Sequence, residues 1–384
     1  MKIVIVGAGP IGLEAAVAAQ ERGHTVSVFE RGRVADSVRK WGHVRMFSPL
    51  WMNASKQAIA FLARRGRKTP REEAILTGQQ FADDFLEPLA EVLNGCVHAG
   101  AEVVAVTRDR SQKSEKIMDP TRAAIPFRLL VKEQGRERIE YGEVLFDCTG
   151  VFGNPNPLGA GGIPAPGEIA ARDWILYGMP EVKTLGSAKV LVVGGGHSAG
   201  TVIRELARLP GTQITWAVQK SANKPYDRIK NDPLPERDSL LIEANSLAQS
   251  ARLRFCPNSV VDAVERTNGQ ILVILNVGGT REIVQVDRVI ATTGFRPDMN
   301  LARELQVQTC WATGGAYTLS ALLLREAGGN CLEAPAAGVE VLAHPEPGFF
   351  TLGIKSYGRR SDFLIRTGQN QVQTVLDSFQ QKQV

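Results

Sequence analysis

Lys2-Ile3-Val4-Ile5-Val6-Gly7-Ala8-Gly9-Pro10-Ile11-Gly12 opens the chain, and Lys189-Val190-Leu191-Val192-Val193-Gly194-Gly195-Gly196-His197-Ser198-Ala199 repeats its plan in the middle. Each stretch reads as a short buried strand, a glycine turn and a helix start. The first glycine lets the backbone turn, and the second lets it approach a pyrophosphate. The third, Gly12 or Ala199, permits close packing of helix on strand. The charge of a pyrophosphate then meets the helix N-terminus, with Pro10 suited to the first helical position. One such motif is weak evidence. Two of them predict two dinucleotides.

The segments around each motif extend it. After the first, alanine-rich helix Ile11–Arg22 ends at Gly23, and Thr25–Glu30 reads as the second strand. A carboxylate at the end of that strand accepts hydrogen bonds from ribose hydroxyls and repels a 2′-phosphate. Glu30 therefore suits FAD or NAD, and Arg31 beside it is a candidate for the same site. After the second motif, helix His197–Arg208 leads to strand Gln213–Val218, which is followed by Gln219-Lys220. A cation there accepts a 2′-phosphate, so this site leans to NADPH, with NADH left open. His197 and Ser198, inside the motif, would line it.

Elsewhere, helical periodicity runs over Gln79–Leu93, and strands are expected at Val103–Val106, Phe127–Lys132 and Val144–Phe146. A hairpin of Ile271–Asn276 and Arg281–Ile290 is expected around Gly278-Gly279, and a C-terminal helix around Asn370–Phe379. The Lys224–Asp238 loop is longer than a turn requires, which suits a functional or mobile segment.

Composition narrows the classes. A chain of 384 residues exceeds one typical domain, and a 43% hydrophobic share supports ordinary globular cores. No apolar run reaches the roughly 18 residues of a membrane helix. The first strand begins almost at Met1 with no signal-like apolar stretch, so a cytoplasmic location is expected. The net charge of +5 is scattered. Its densest cluster, Arg64-Arg65-Gly66-Arg67-Lys68, has no interleaved aromatics and reads as a solvated loop rather than a nucleic-acid site. Cys96, Cys148, Cys256, Cys310 and Cys331 form no CxxC pair, and the five histidines show no metal-ligand spacing. No metal is expected.

Four landmarks in order, Gly7–Gly12 with Glu30, Cys148-Thr149-Gly150, Gly194–Ala199 and Ala291-Thr292-Thr293-Gly294, resemble those of the two-dinucleotide-binding-domain flavoproteins. That superfamily includes flavin-containing monooxygenases and thioredoxin-reductase-like enzymes. The resemblance covers nearly the whole chain. It implies an α/β protein with two Rossmann-like domains: an FAD domain of residues 1–160 and 291–384, and an NAD(P)H domain of 161–290 inserted in it. Thr149, Gly150, Thr293 and Gly294 would mark the crossings between domains. The superfamily's disulfide reductases carry a redox cysteine pair that this chain lacks. Its Baeyer–Villiger branch carries a histidine motif before the second fingerprint, missing from Gly167–Gly186. The remaining implication is a monooxygenase that oxygenates a small molecule through a C4a-(hydro)peroxyflavin, with reduction of a quinone or other small acceptor as the alternative. Small bacterial flavoproteins of this kind resemble the chain in Trp41–Pro49 and Gly353–Arg359.

Candidates for contact with the flavin follow from that resemblance. Trp41, His43 and Arg45 lie in the stretch that runs along the flavin in similar proteins. Gly353 stands where the superfamily holds a Gly-Asp pair against the ribityl chain, but Ile354 replaces the acid. Lys355 or Tyr357 would then offer a donor to the flavin. A homodimer is left open.

Overall fold

The computed structural model describes residues 1–93, 95–267, 269–325 and 338–381; Cys331 lies outside them. The chain divides into two units. The first holds Met1–Arg39, Pro49–Asn154 and Arg296–Val384, and the second holds Lys40–Ser48 and Pro155–Phe295.

In the first unit, five parallel strands run in the order Phe349–Thr351, Val144–Asp147, Lys2–Val6, Thr25–Glu30, Val97–Ala99. Lys2–Val6 sits at the centre, and Ile3, Val4 and Ile5 are fully buried, as the continuous apolar run requires of a strand covered on both faces. Helix Pro10–Glu21 follows it, buried along nine consecutive residues from Ile11 to Ala19. The small alanines bring it close to the sheet. A second, antiparallel sheet is made of Ala101–Arg108, Phe127–Glu133 and Arg136–Gly142.

The second unit repeats this arrangement. Its parallel order is Arg254–Cys256, Gln213–Ala217, Lys189–Val193, Arg288–Ala291, Ile175–Tyr177, and its antiparallel sheet is Ser259–Thr267, Gln270–Val277, Thr280–Val286.

The expected strand Arg281–Ile290 is in fact two. Asp287 breaks it: its N–H donates to the Lys189 carbonyl at 2.8 Å, and its carboxylate accepts from the Lys189 N–H at 2.7 Å. The chain thereby leaves the antiparallel sheet and joins the parallel one. The helical region from Gly78 to Glu91 carries a π-helical turn at Ala82–Leu86, just before Pro88, whose missing N–H cannot serve the regular ladder. The C-terminal helix is longer than its periodic core, running Ile365–Gln381. No helix among the described residues is long and apolar enough to cross a membrane.

The division into units departs from the expected 161–290 boundaries at both crossings. It also assigns Lys40–Ser48, expected beside the flavin, to the second unit.

Candidate dinucleotide sites

Both glycine turns are built alike. Gly7 has φ +104°, and a Cβ there would lie 2.6 Å from the Cys148 carbonyl oxygen; Gly194 has φ +133°, with Thr292 O at 2.4 Å. These two positions admit only glycine. Gly9 and Gly196 differ: each is the N-cap of its helix, extended in backbone, and a Cβ would meet nothing within 4 Å. Neither helix has a side-chain cap or an acidic residue in its first turn. No capping side chain serves the first-turn amides of either helix, although the Ala199 N–H donates to the Gly196 carbonyl at 2.9 Å, and uncapped helix N-termini of this kind suit an anion.

In the first unit a cleft of about 460 Å³ lies at this turn, with Gly7, Glu30, Arg31, Thr149, Gly150 and Lys355 on its walls. The Glu30 carboxylate accepts from the Ala8 N–H at 3.0 Å and the Gly32 N–H at 2.8 Å, which fixes it at the strand end while leaving lone pairs for hydroxyl donors. Lys355 is buried and its Nζ donates to Asp147 Oδ2 at 2.6 Å and to Thr149 Oγ1 at 2.8 Å. Asp147 Oδ1 in turn accepts from the Thr149 N–H and hydroxyl at 3.1 and 2.6 Å. Neighbouring Cys148 is buried, and burial pushes its thiol far above the usual range. An open helix terminus, a fixed acid for ribose hydroxyls and a cation in the same cleft fit an FAD-sized dinucleotide. Gly7, Gly9, Glu30, Arg31 and Lys355 would hold it.

A larger cleft of about 1010 Å³ lies elsewhere in the first unit, between Arg108, Arg110, Lys113 and Arg128. It has no glycine turn. Arg108 is committed to Glu346 at 2.7 Å and Arg128 to Asp109 at 3.2 Å, so it offers a nucleotide little.

In the second unit, Tyr226 braces the turn: its hydroxyl donates to the Gly196 carbonyl at 2.7 Å, and its ring stacks near His197. Strand pairing sets Val193 beside Ala217, just as Val6 pairs with Phe29 in the first unit. Val218, not Gln219-Lys220, is thus the counterpart of Glu30, and it is buried. Lys220 lies two residues on and is exposed, its Nζ 2.7 Å from Asp227 Oδ2. That hydrogen bond, with Lys224 at 3.5 Å from the other oxygen, holds the Asp227 carboxyl below its usual value.

A family model described as pyridine nucleotide-disulphide oxidoreductase matches residues 4–118. A search of curated proteins finds no match. Among solved structures, bacillithiol disulfide reductase from Bacillus cereus is 18% identical, with a TM-score of 0.70 over 100% of both chains. The reductase of the same name from Staphylococcus aureus is 17% identical, with a TM-score of 0.71 over 100% of this chain and 99% of that one. Ornithine N-hydroxylase from Kutzneria sp. 744, solved with reduced FAD and NADP⁺, is 16% identical with a TM-score of 0.68 over 100% and 99%. The chain shares the fold of these solved structures.

Within this fold the expected site residues separate into groups. Gly7, Glu30, Arg31, Thr149, Gly150 and Lys355 share the first cleft. Gly9, Pro10 and Gly12 form the turn and helix start beside it, and Gly353 packs on Ile11, its N–H donating to Gln371 Oε1 at 2.9 Å. Tyr357 is buried with its ring edge-on to Phe363 at 5.3 Å, inside the core rather than on the cleft wall. Gly194, Gly196, His197, Ser198 and Ala199 form the second turn. Thr293 donates to the Asn156 carbonyl at 2.6 Å and Gly294 accepts from the Asn156 N–H at 2.9 Å, so this pair ties the crossing chains together.

Trp41, His43 and Arg45 belong to the second unit. His43 Nε2 lies 3.4 Å from Glu205 Oε2, Arg45 3.2 Å from Glu236, and the Phe47 ring edge-on to His197 at 5.7 Å. Burial raises the Glu205 carboxyl above its usual value, with His43 opposing. Sequence reasoning gave Asp147 no role, because it only ends an apolar strand. It read Tyr226 as part of a loop that could close over NADPH or substrate, and the structure sets that hydroxyl on the Gly196 carbonyl. No group of acids, histidines and cysteines among the described residues could hold a metal ion.

Proposed function

We propose that this chain is an FAD-dependent NAD(P)H oxidoreductase, FAD in the first unit and NADPH at the second-unit turn, that oxygenates a small molecule. The observation that carries the cofactor reading is the pair of uncapped, Cβ-free helix N-termini at Gly9 and Gly196, one in each unit. Bound flavin would supply the chemistry, accepting hydride from nicotinamide and passing electrons on. The chain's own residues bind and orient: Glu30 takes ribose hydroxyls, the first-turn amides take pyrophosphate, and Val218 puts no carboxylate against a 2′-phosphate.

The oxygenating outcome is favoured by the cysteines. Cys96, Cys148, Cys256 and Cys310 are all free thiols, and burial raises those of Cys96, Cys148 and Cys256. A redox disulfide relay among the described residues has no pair to use. Reduction of a small acceptor remains the second reading, supported by the whole-length likeness to the two bacillithiol disulfide reductases.

The test is anaerobic mixing of the yellow protein with NADPH or NADH, followed by oxygen or a quinone. Rapid bleaching by NADPH supports the cofactor assignment. Substrate-stimulated NADPH oxidation with incorporation of labelled oxygen supports oxygenation, whereas fast quinone-driven turnover without incorporation supports the reductase.

A further inference from the structure

Two ionised side chains from distant parts of the chain meet on the wall of the first-unit cleft. Asp147 ends the strand Val144–Asp147, and Lys355 lies in the turn after the strand Phe349–Thr351. They are 0% and 1% exposed. Burying two charges is costly, and a pair that only joined two strands could be replaced by packed apolar side chains at little loss. An ammonium has three N–H donors. Asp147 Oδ2 and Thr149 Oγ1 take two of those on Lys355, and the third remains for whatever fills the cleft that Lys355 lines. Ile354, next to Gly353, leaves no carboxylate in the position where the resemblance implies one against the cofactor.

We infer that Lys355 is a cofactor-binding cation that donates its remaining N–H to oxygen atoms of the dinucleotide, and that Asp147 is the positioning residue that holds it aimed. The inference rests on the proposal that FAD occupies this cleft. Contact and charge are thereby supplied by a relay from the neighbouring strand instead of by an acid after Gly353. Thr149 completes the relay, accepting from Lys355 and donating to Asp147.

The experiment is FAD titration of apoprotein by flavin fluorescence, for wild type, Lys355→Met, Asp147→Asn and the double variant, with thermal melting of each apoprotein as the folding control. Lys355→Met leaves Asp147 facing an anionic ligand and is expected to weaken FAD binding by about tenfold or more. Asp147→Asn leaves Lys355 without the carboxylate that aims it and is expected to weaken FAD binding several-fold, less than Lys355→Met does, with an apoprotein melting temperature close to wild type. The double variant leaves no uncompensated buried charge, so it is expected to fold and to recover much of the affinity lost by Lys355→Met. A merely structural pair predicts something else: both single variants lose affinity together, in step with their melting temperatures, and that result overturns the inference. So does a Lys355→Met protein that binds FAD as wild type does. Wild-type protein that takes up no FAD would instead refute the cofactor reading itself.

Discussion

Val218 occupies in the second βαβ unit the position that Glu30 occupies in the first. In both, the turn glycine donates its N–H to the strand residue just before them: Gly7 to Phe29 O at 2.8 Å, Gly194 to Ala217 O at 3.0 Å. Under the proposed assignment, a carboxylate at the first position and a buried aliphatic side chain at the second would separate the two nucleotides by charge. Lys220 then supplies the nearest cation on the same strand exit, partly neutralised by Asp227. Lys220→Ala is expected to weaken NADPH several-fold and NADH little. Asp227→Asn, which frees Lys220, is expected to tighten NADPH. Dissociation constants for both nucleotides check this, and equal effects on the two would remove Lys220 from the 2′-phosphate site.

The glycines of the first motif should respond differently to substitution. Gly9 has φ −84° and ψ −173°, which any residue adopts, and a Cβ there meets no protein atom. Gly9→Val is therefore expected to fold with an apoprotein melting temperature near wild type yet purify colourless. A Cβ on Gly12 would lie 1.8 Å from the Gly7 carbonyl oxygen. Gly12→Ala is expected to destabilise the apoprotein itself, by about 2–4 kcal/mol. A yellow Gly9→Val protein would refute the first-site assignment. By the same argument Gly196→Val should keep its FAD and lose reduction by NADPH.

The stretch Lys40–Ser48 offers a separate test. His43 and Arg45 face Glu205 and Glu236 of the second unit. His43→Ala and Arg45→Ala are expected to retain full flavin content, and any kinetic change should fall on the nicotinamide-dependent step. Loss of flavin in either variant, read from the visible spectrum, would return this stretch to the FAD site.

These contrasts also mark what the sequence could reveal. Both nucleotide turns were legible because their causes are local: an apolar strand, a glycine that must turn and a helix that must start within a dozen residues. The place of Glu30 at the end of its strand was legible for the same reason. Its counterpart, expected at Gln219-Lys220, lies one to two residues earlier at Val218, because the end of Gln213–Ala217 is set by pairing with Lys189–Val193 and not by composition. Asp147 and Lys355 are 208 positions apart, and no spacing rule joins them. Likewise the break at Asp287 depends on Lys189, nearly a hundred residues earlier.

Glu14 yields a pH prediction. It lies on helix Pro10–Glu21, 2% exposed, with hydrogen bonds to Ser55 and Gln373 but one oxygen, Oε1, without a partner. Burial raises its pKa from 4.5 to about 7, and those two hydrogen bonds only partly oppose the shift. Between pH 4.5 and 7 the folded protein thus holds a proton that the unfolded chain has released. Stability falls as pH rises through that window and levels off above it, the penalty at pH 8 being of order 3 kcal/mol. Glu14→Gln keeps the shape and the donors while removing the charge. It is expected to raise the melting temperature of the apoprotein at pH 8 and to leave it nearly unchanged at pH 4.5, where the wild-type carboxyl is protonated in the folded state. An equal gain at both values would mean that packing, not ionisation, sets the cost at this position.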